Sequence, residues 1–110
     1  MRGLSKVRVL SRWREYVTLI AEAVKAVAPQ AKVYLVGGAA EGRLTVLSDV
    51  DVLVVLPKRL GFEGAVELRA KVLEKAEGLG LPPYAPVELH IIGEDDLRRY
   101  SARGKVVPVS

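Results

Sequence analysis

The stretch TVLSDVDVLVVLP, from Thr45 to Pro57, decides the fold of this chain. Its branched apolar residues are typical of a buried β-strand. Two carboxylates, Asp49 and Asp51, nevertheless stand one residue apart within it. An unpaired buried carboxylate is costly and usually takes up a proton. The stretch therefore predicts both a buried strand and a site at which the two acids have a function.

Strand alternation predicts how the two acids are arranged. Side chains at positions i and i+2 of a strand project from the same face, so Asp49 and Asp51 should lie side by side, followed on that face by Leu53 and Val55. Neighbouring carboxylates repel each other, and a hard divalent ion such as Mg²⁺ would relieve the repulsion. The structural alternative is that one aspartate caps a turn while the other pairs with an arginine.

The other patterns along the chain alternate between helix and strand, which predicts a sheet with helices packed on it. Apolar steps of three and four residues predict long helices over about 11–28 and 62–77, and acids followed by arginines favour a short helix over 94–103. Besides the strand over 49–56, we expect strands over 32–36 and 86–93, and an edge strand around Pro108. We predict one domain, residues 1–110, of the α/β (α+β) class, with a small mixed sheet and helices mainly on one face.

Composition limits the possible classes of protein. The 110 residues include no cysteine, which excludes disulfides and thiolate metal sites. We find no apolar run long enough for a membrane span and no signal-peptide pattern, so a cytoplasmic protein is expected. The sequence contains no asparagine and a single glutamine, as is common in proteins of heat-loving organisms.

The chain is basic, with a net charge of +4. Basic residues cluster before Glu15 and again near the C-terminus, where Arg98, Arg99, Arg103 and Lys105 stand close together. Such clusters are either a solvated surface or an attraction for nucleotide phosphates, nucleic acid or an acidic partner. Because no aromatic residues are interleaved with them, direct nucleic-acid binding has only the net charge in its favour.

Two further features favour phosphoryl chemistry at the acidic strand. Gly37 and Gly38 close a strand and open a turn whose backbone N–H groups a phosphate can approach. Glu88 alternates with apolar residues in another strand, and His90, the only histidine, shares its face. A phosphate-binding turn, an acid pair and a third acid are the parts that metal-assisted phosphoryl transfer requires. We expect His90 to be a solvated or hydrogen-bonded residue near this site.

The segment VGGAAEGRLTVLSDVDVLVV resembles the signature of the DNA polymerase β-type nucleotidyltransferase superfamily, G-[G/S]-x(7–13)-D-x-D. Given its length, the chain is most similar to the minimal nucleotidyltransferases of archaea and bacteria. The resemblance implies a polymerase β-like palm that transfers a nucleoside monophosphate, commonly AMP from ATP, to an acceptor hydroxyl.

The resemblance also implies roles for individual residues. Gly37 and Gly38, together with Ser48 and Arg43, would bind the nucleotide. Asp49, Asp51 and Glu88 would be the catalytic metal ligands for Mg²⁺ or Mn²⁺.

Two positions depart from the pattern usual in the minimal family, G-S-x-A-R-G. Gly38 stands where serine is common, so a hydroxyl contact to phosphate is missing. Glu41 replaces an arginine and brings negative charge near the expected polyphosphate, which Arg43 could offset. The alternative function is therefore a catalytically weak or inactive, antitoxin-like partner of a helical HEPN-domain protein.

The expected packing also suggests a partner. If helices cover only the Val50 and Val52 side of the sheet, Leu53 and Val55 form an exposed apolar band beside the acids. Exposed apolar patches usually mark interaction surfaces. We therefore expect a second copy of the chain or a HEPN-domain protein to cover this band and to supply the acceptor.

Overall fold

The computed structural model describes residues 12–44 and 49–109. Ser48, the preceding residues 45–47 and the first eleven residues lie outside the described part. Within it, the elements in chain order are helix α1 (Trp13–Val27), strand β1 (Lys32–Val36), the single helical turn α2 (Gly37–Ala40), strand β2 (Val50–Leu56), helix α3 (Phe62–Gly78), strand β3 (Val87–Gly93), helix α4 (Glu94–Arg103) and strand β4 (Val107–Val109).

The four strands form one mixed sheet in the order β3-β2-β1-β4. Strand β1 pairs antiparallel with both β2 and β4, whereas β2 and β3 are parallel and are joined by the crossover helix α3. Pro108 lies in the edge strand β4, where its missing N–H removes no central ladder hydrogen bond. The predicted mixed sheet and its proline-containing edge are therefore confirmed.

Helices α1 and α3 cover one face of the sheet and enclose the larger core. Alternate residues of β2 point into it, as the strand pattern predicts. The largest fully buried side chains of this core are Ile20, Val24, Val50, Val52, Val54 and Val72. Tyr16 is also buried, and its burial raises the pKa of its hydroxyl.

The opposite face of the sheet is covered by α4 and the segment that follows it. Leu53 and Val55, which the sequence predicts as an exposed band, are 0% and 1% exposed. They form a second apolar cluster with Val36 and Ile92, against which Leu97, Tyr100 and Val106 pack. The prediction of an exposed band was wrong because α4, although mostly polar, packs Leu97 and Tyr100 onto the sheet. Because α4 and the segment after it bury Leu53 and Val55, this face does not require a partner to cover it.

Close contacts fix α4 against the loop that follows β2. Gly93, the last residue of β3, lies so near this loop that a Cβ atom would be 2.7 Å from the backbone nitrogen of Arg59. The Arg59 guanidinium donates to Asp96 in the first turn of α4, at 3.3 Å. Burial tends to raise the pKa of Asp96, but the hydrogen bonds from Arg59 and from the Gly93 N–H outweigh it and lower the pKa. Helix α4 therefore starts from a defined position at the end of β3.

The boundaries differ from the predicted ones by one or two residues. Strand β2 begins at Val50, so Asp49 immediately precedes it, and the glycine-rich turn after β1 takes up one turn of helix. None of the helices within the described residues is long and apolar enough to span a bilayer.

The second apolar cluster can be tested by shortening one of its central side chains. Leu53→Ala should lower the free energy of unfolding by about 2–5 kcal/mol, because it leaves a cavity between the sheet and α4. The matched control is Phe62→Ala, whose side chain is 83% exposed and whose loss should change stability by about 0.5 kcal/mol or less. Urea unfolding followed by circular dichroism measures both. A small loss for Leu53→Ala would mean that α4 does not cover this face.

Candidate active site

The candidate site lies where three strands meet at one end of the sheet. Strand β1 ends there at Val36, while β2 and β3 begin there. Asp51 is paired in register with Val36 on one side and with Glu88 on the other. Of the three acids that were expected to converge, Asp49, Asp51 and Glu88, the parallel register makes Asp51 and Glu88 direct neighbours. Both acids are on the α4 side of the sheet, at the open end of the second apolar cluster.

His90 joins these two acids. Its Nε2 atom lies 3.2 Å from Asp51 Oδ1 and 3.8 Å from Glu88 Oε1. One potential ligand atom from each of the three residues lies within 4.8 Å of the others, and all three side chains are accessible to solvent. Among the described residues, this cluster of Asp51, Glu88 and His90 is the arrangement that could hold a metal ion. Its donors are two carboxylates and one imidazole.

Gly37 allows the backbone to approach the Asp51 carboxylate closely. Its φ is +71°, a conformation that side chains disfavour, and a Cβ atom there would lie 2.8 Å from Asp51 Oδ2. Gly38 is different, because a Cβ atom there would meet only ordinary contacts, the nearest at 3.5 Å from the Arg43 carbonyl oxygen. The first glycine is required by the geometry of the site, and the second is not.

Glu41 and Arg43 form an ion pair beside this turn. An Arg43 guanidinium nitrogen donates to Glu41 Oε1 at 2.8 Å. This hydrogen bond is the main cause of the lowered pKa of Glu41, and the backbone N–H of Lys105 makes a smaller contribution. The negative charge of Glu41 is therefore already balanced. Arg43, predicted to contact the nucleotide, is engaged with Glu41 and has a side chain that is 67% exposed.

A cleft of about 310 Å³ opens in front of the Asp51 carboxylate. This volume is at the lower end of the range for small-molecule sites. Residues from the β1–α2 turn, from β2 and β3, and from the C-terminal segment line it: Val36, Gly37, Glu41, Asp51, His90, Tyr100, Arg103, Gly104 and Lys105.

Two other predicted site residues, Asp49 and Ser48, are not part of the cluster that the structure describes. Asp49 is exposed, immediately before β2, and does not belong to the cluster of Asp51, Glu88 and His90. Ser48 lies outside the described residues. The roles of Asp49 in metal binding and of Ser48 in nucleotide binding therefore stay predictions.

The sequence reasoning missed part of the site. His90 was placed near it but not among its functional residues, although the alternation that selects Glu88 also selects residue 90. For Arg103 and Lys105 the only signal was the basic cluster near the C-terminus. Their position in the cleft depends on how α4 packs, which no local pattern shows.

Comparison with known families identifies the class of protein. Residues 17–103 match the nucleotidyltransferase domain family, which covers all the strands except β4. The chain belongs to this family, as the glycine turn and the acidic strand predicted. Nucleotidyl transfer is therefore the chemistry that the fold and site support, and the family typically uses a nucleoside triphosphate and a divalent metal ion. A comparison with curated protein sequences found no match.

Solved structures agree on the fold. A candidate nucleotidyltransferase from Sulfolobus solfataricus superposes with a TM-score of 0.59, at 20% identity, over 91% of this chain and 84% of its own. A second candidate nucleotidyltransferase gives a TM-score of 0.53, at 25% identity, over 84% of this chain and 96% of its own.

The contrast between the two glycines gives a test of the site geometry. Gly37→Ala should lower the free energy of unfolding by about 1–3 kcal/mol, because alanine is strained at positive φ and its Cβ displaces the Asp51 carboxylate. Gly38→Ala, one position along, should change it by about 0.5 kcal/mol or less. Chemical denaturation of both variants measures the difference, and equal effects would contradict the close approach at Gly37.

Proposed function

We propose that the protein is a divalent-metal-dependent nucleotidyltransferase that transfers AMP from ATP to an acceptor hydroxyl. The observation that carries the proposal is the cluster of Asp51, Glu88 and His90 at the mouth of a cleft, directly beside the backbone of Gly37. This combination supplies metal-binding donors next to a backbone turn that a phosphate can approach.

The donor set fits a divalent ion. Two carboxylates that are register neighbours, with the His90 imidazole as their close partner, form a group of donors that a cation would stabilise. Carboxylate oxygens suit Mg²⁺ and Mn²⁺, and an imidazole nitrogen is also accepted by transition metals. A bound divalent ion would neutralise charge on the phosphates as the bond to the leaving group breaks.

The chain's own residues would orient the nucleotide around this cluster. Gly37 lets the backbone of the turn lie against the Asp51 carboxylate, because a Cβ atom there would lie 2.8 Å from Asp51 Oδ2. A phosphate bound at this turn would therefore lie beside the metal-binding donors. Asp49, exposed just before β2, would be a further ligand of the metal ion, as the resemblance implies. In the reaction, the acceptor hydroxyl oxygen bonds to the α-phosphorus of ATP and its proton passes to solvent. The bond from the α-phosphorus to the oxygen that bridges it to the β-phosphate breaks, and pyrophosphate leaves.

An acceptor hydroxyl on a partner protein, such as a HEPN-domain protein, or a complex with a second copy of the chain, remains a prediction from the resemblance. The burial of Leu53 and Val55 by α4 removes the packing argument for such a partner.

Metal-dependent nucleotide binding tests the proposal first. ATP with Mg²⁺ or Mn²⁺ should raise the melting temperature of the wild-type chain, because a ligand that binds only the folded state stabilises it; at 100 times its Kd the gain is about 2.7 kcal/mol. Chelating the metal with EDTA should remove most of this gain. Differential scanning fluorimetry with and without each component measures it.

Variants assign the effect to the site. Asp51→Asn and Glu88→Gln should each abolish the metal-dependent part of the shift. Glu77→Gln is the matched control, because Glu77 is an exposed acid at the end of α3, away from the cluster. An equal shift in Glu88→Gln and wild type would contradict metal binding at this cluster.

Catalysis requires a separate measurement. Incubation with α-labelled ATP, Mg²⁺ and candidate acceptor proteins should give labelled acceptor and pyrophosphate, and mass spectrometry should locate an added AMP. Nucleotide binding without any transfer would favour the alternative function, an inactive binding partner.

A further inference from the structure

The connection between α4 and β4, residues 104–106, lies against the turn that follows β1. Gly104 is so close to Glu41 that a Cβ atom added to it would collide with Glu41 Oε2. Gly104 has an extended backbone, with φ at 170°, so the absence of a side chain matters here for space and not for conformation. Glu41 is the C-terminal cap residue of α2. The connection is therefore held at the same turn that carries Gly37.

This contact brings positive charge to the cleft. Arg103 and Lys105, on either side of Gly104, both line it, together with Asp51 and His90 of the metal-binding cluster. Both residues are exposed, and the Arg103 guanidinium lies 5.7 Å from the centre of the Tyr100 ring. The cleft is therefore lined both by metal-binding donors and by two cations.

Glu41 itself does not oppose a bound polyphosphate. Its carboxylate is paired with Arg43 at 2.8 Å and faces the backbone at Gly104. An acid at this position would repel phosphates if it projected freely into the cleft. Paired in this way, it holds in place the segment that supplies the cations.

We propose that Arg103 and Lys105 bind the phosphates of the nucleotide, and that Glu41 is a positioning residue that fixes their segment against the β1–α2 turn. The inference rests on the proposed function, since it names the side chains that hold the triphosphate at that site. Glu41 takes the place of the arginine that is usual in the glycine turn of the minimal family, and the two cations of the C-terminal segment would take over the role of that arginine.

The phosphate contacts are tested by calorimetric titration of the full chain with ATP and Mg²⁺. Arg103→Ala and Lys105→Ala should each weaken the Kd for ATP by about tenfold, as expected for loss of one charge-assisted hydrogen bond. The affinity lost for AMP should be smaller, because AMP has fewer phosphates. The matched control is Arg98→Ala, which removes the same charge from an exposed position on α4 that does not line the cleft.

The results separate the two proposals. If wild-type protein does not bind ATP, the proposed function fails and this inference fails with it. If the wild type binds ATP and the variants at Arg103 and Lys105 bind it equally well, or lose no more than Arg98→Ala, only the inference is overturned.

Glu41→Ala tests whether Glu41 positions the cationic segment or merely repels phosphate, because the two explanations predict opposite changes in ATP affinity. Glu41→Ala should weaken ATP binding about threefold to tenfold if Glu41 holds the cationic segment, since part of one charge-assisted contact is lost. Glu41→Gln, which keeps an acceptor oxygen for Arg43, should restore most of the affinity. Tighter ATP binding by Glu41→Ala would show that the acid merely repels phosphate, and would overturn the positioning role.

Gly104→Ala tests the same contact from the side of the connection and should also lower the affinity for ATP. Its methyl group should push the Glu41 carboxylate away from the connection, and its ATP affinity should fall as in Glu41→Ala. Gly78→Ala is the control, because a Cβ atom there meets nothing within 4 Å. Binding of Mn²⁺ alone, measured by electron paramagnetic resonance, should be unchanged in Glu41→Ala and Gly104→Ala. A parallel loss of Mn²⁺ binding would indicate general damage to the site and would overturn the specific role.

Discussion

The Asp51 carboxylate lies against the backbone of Gly37, and this contact requires the surrounding strands to meet in one particular way. Strand β1 runs antiparallel to β2, and β3 runs parallel to β2. The end of β1 therefore adjoins the beginnings of β2 and β3. That arrangement places Glu88 beside Asp51, and it lets the turn after β1, which begins at Gly37, bend round the Asp51 carboxylate. An acid in an apolar strand is tolerable here because it is at the strand's open end, accessible to solvent and to His90.

The local patterns of the sequence are sufficient to predict the side of the sheet that α1 and α3 cover. Helices α1 and α3 and the inward residues of β2 follow from the spacing of apolar side chains, which directly records what is buried on one face. The same alternation correctly put Asp51 and Glu88 on the other face. It could not show that they are register neighbours, because strand pairing between distant segments is set by the crossover helix and not by either strand alone.

The opposite side of the sheet depends on contacts that have no local pattern. Helix α4 is mostly charged, and only Leu97 and Tyr100 of its residues join the cluster with Leu53 and Val55. Two apolar residues in such a helix give no periodic signal, so the face it covers was expected to be open. The same packing brings Arg103 and Lys105 to the cleft. This explains why the sequence predicted the acidic residues of the site and missed its basic residues.

The two adjacent glycines of the turn differ in what they permit during evolution. At the first, any other residue would be strained and would collide with an acid of the site, so substitution there would be removed by selection for as long as the site is used. At the second, a small side chain fits, and the glycine and serine codons that begin GG and AG differ by one base. Where the glycine codon is GGU or GGC, a single base change therefore adds the hydroxyl common in the minimal family, while the neighbouring glycine stays fixed.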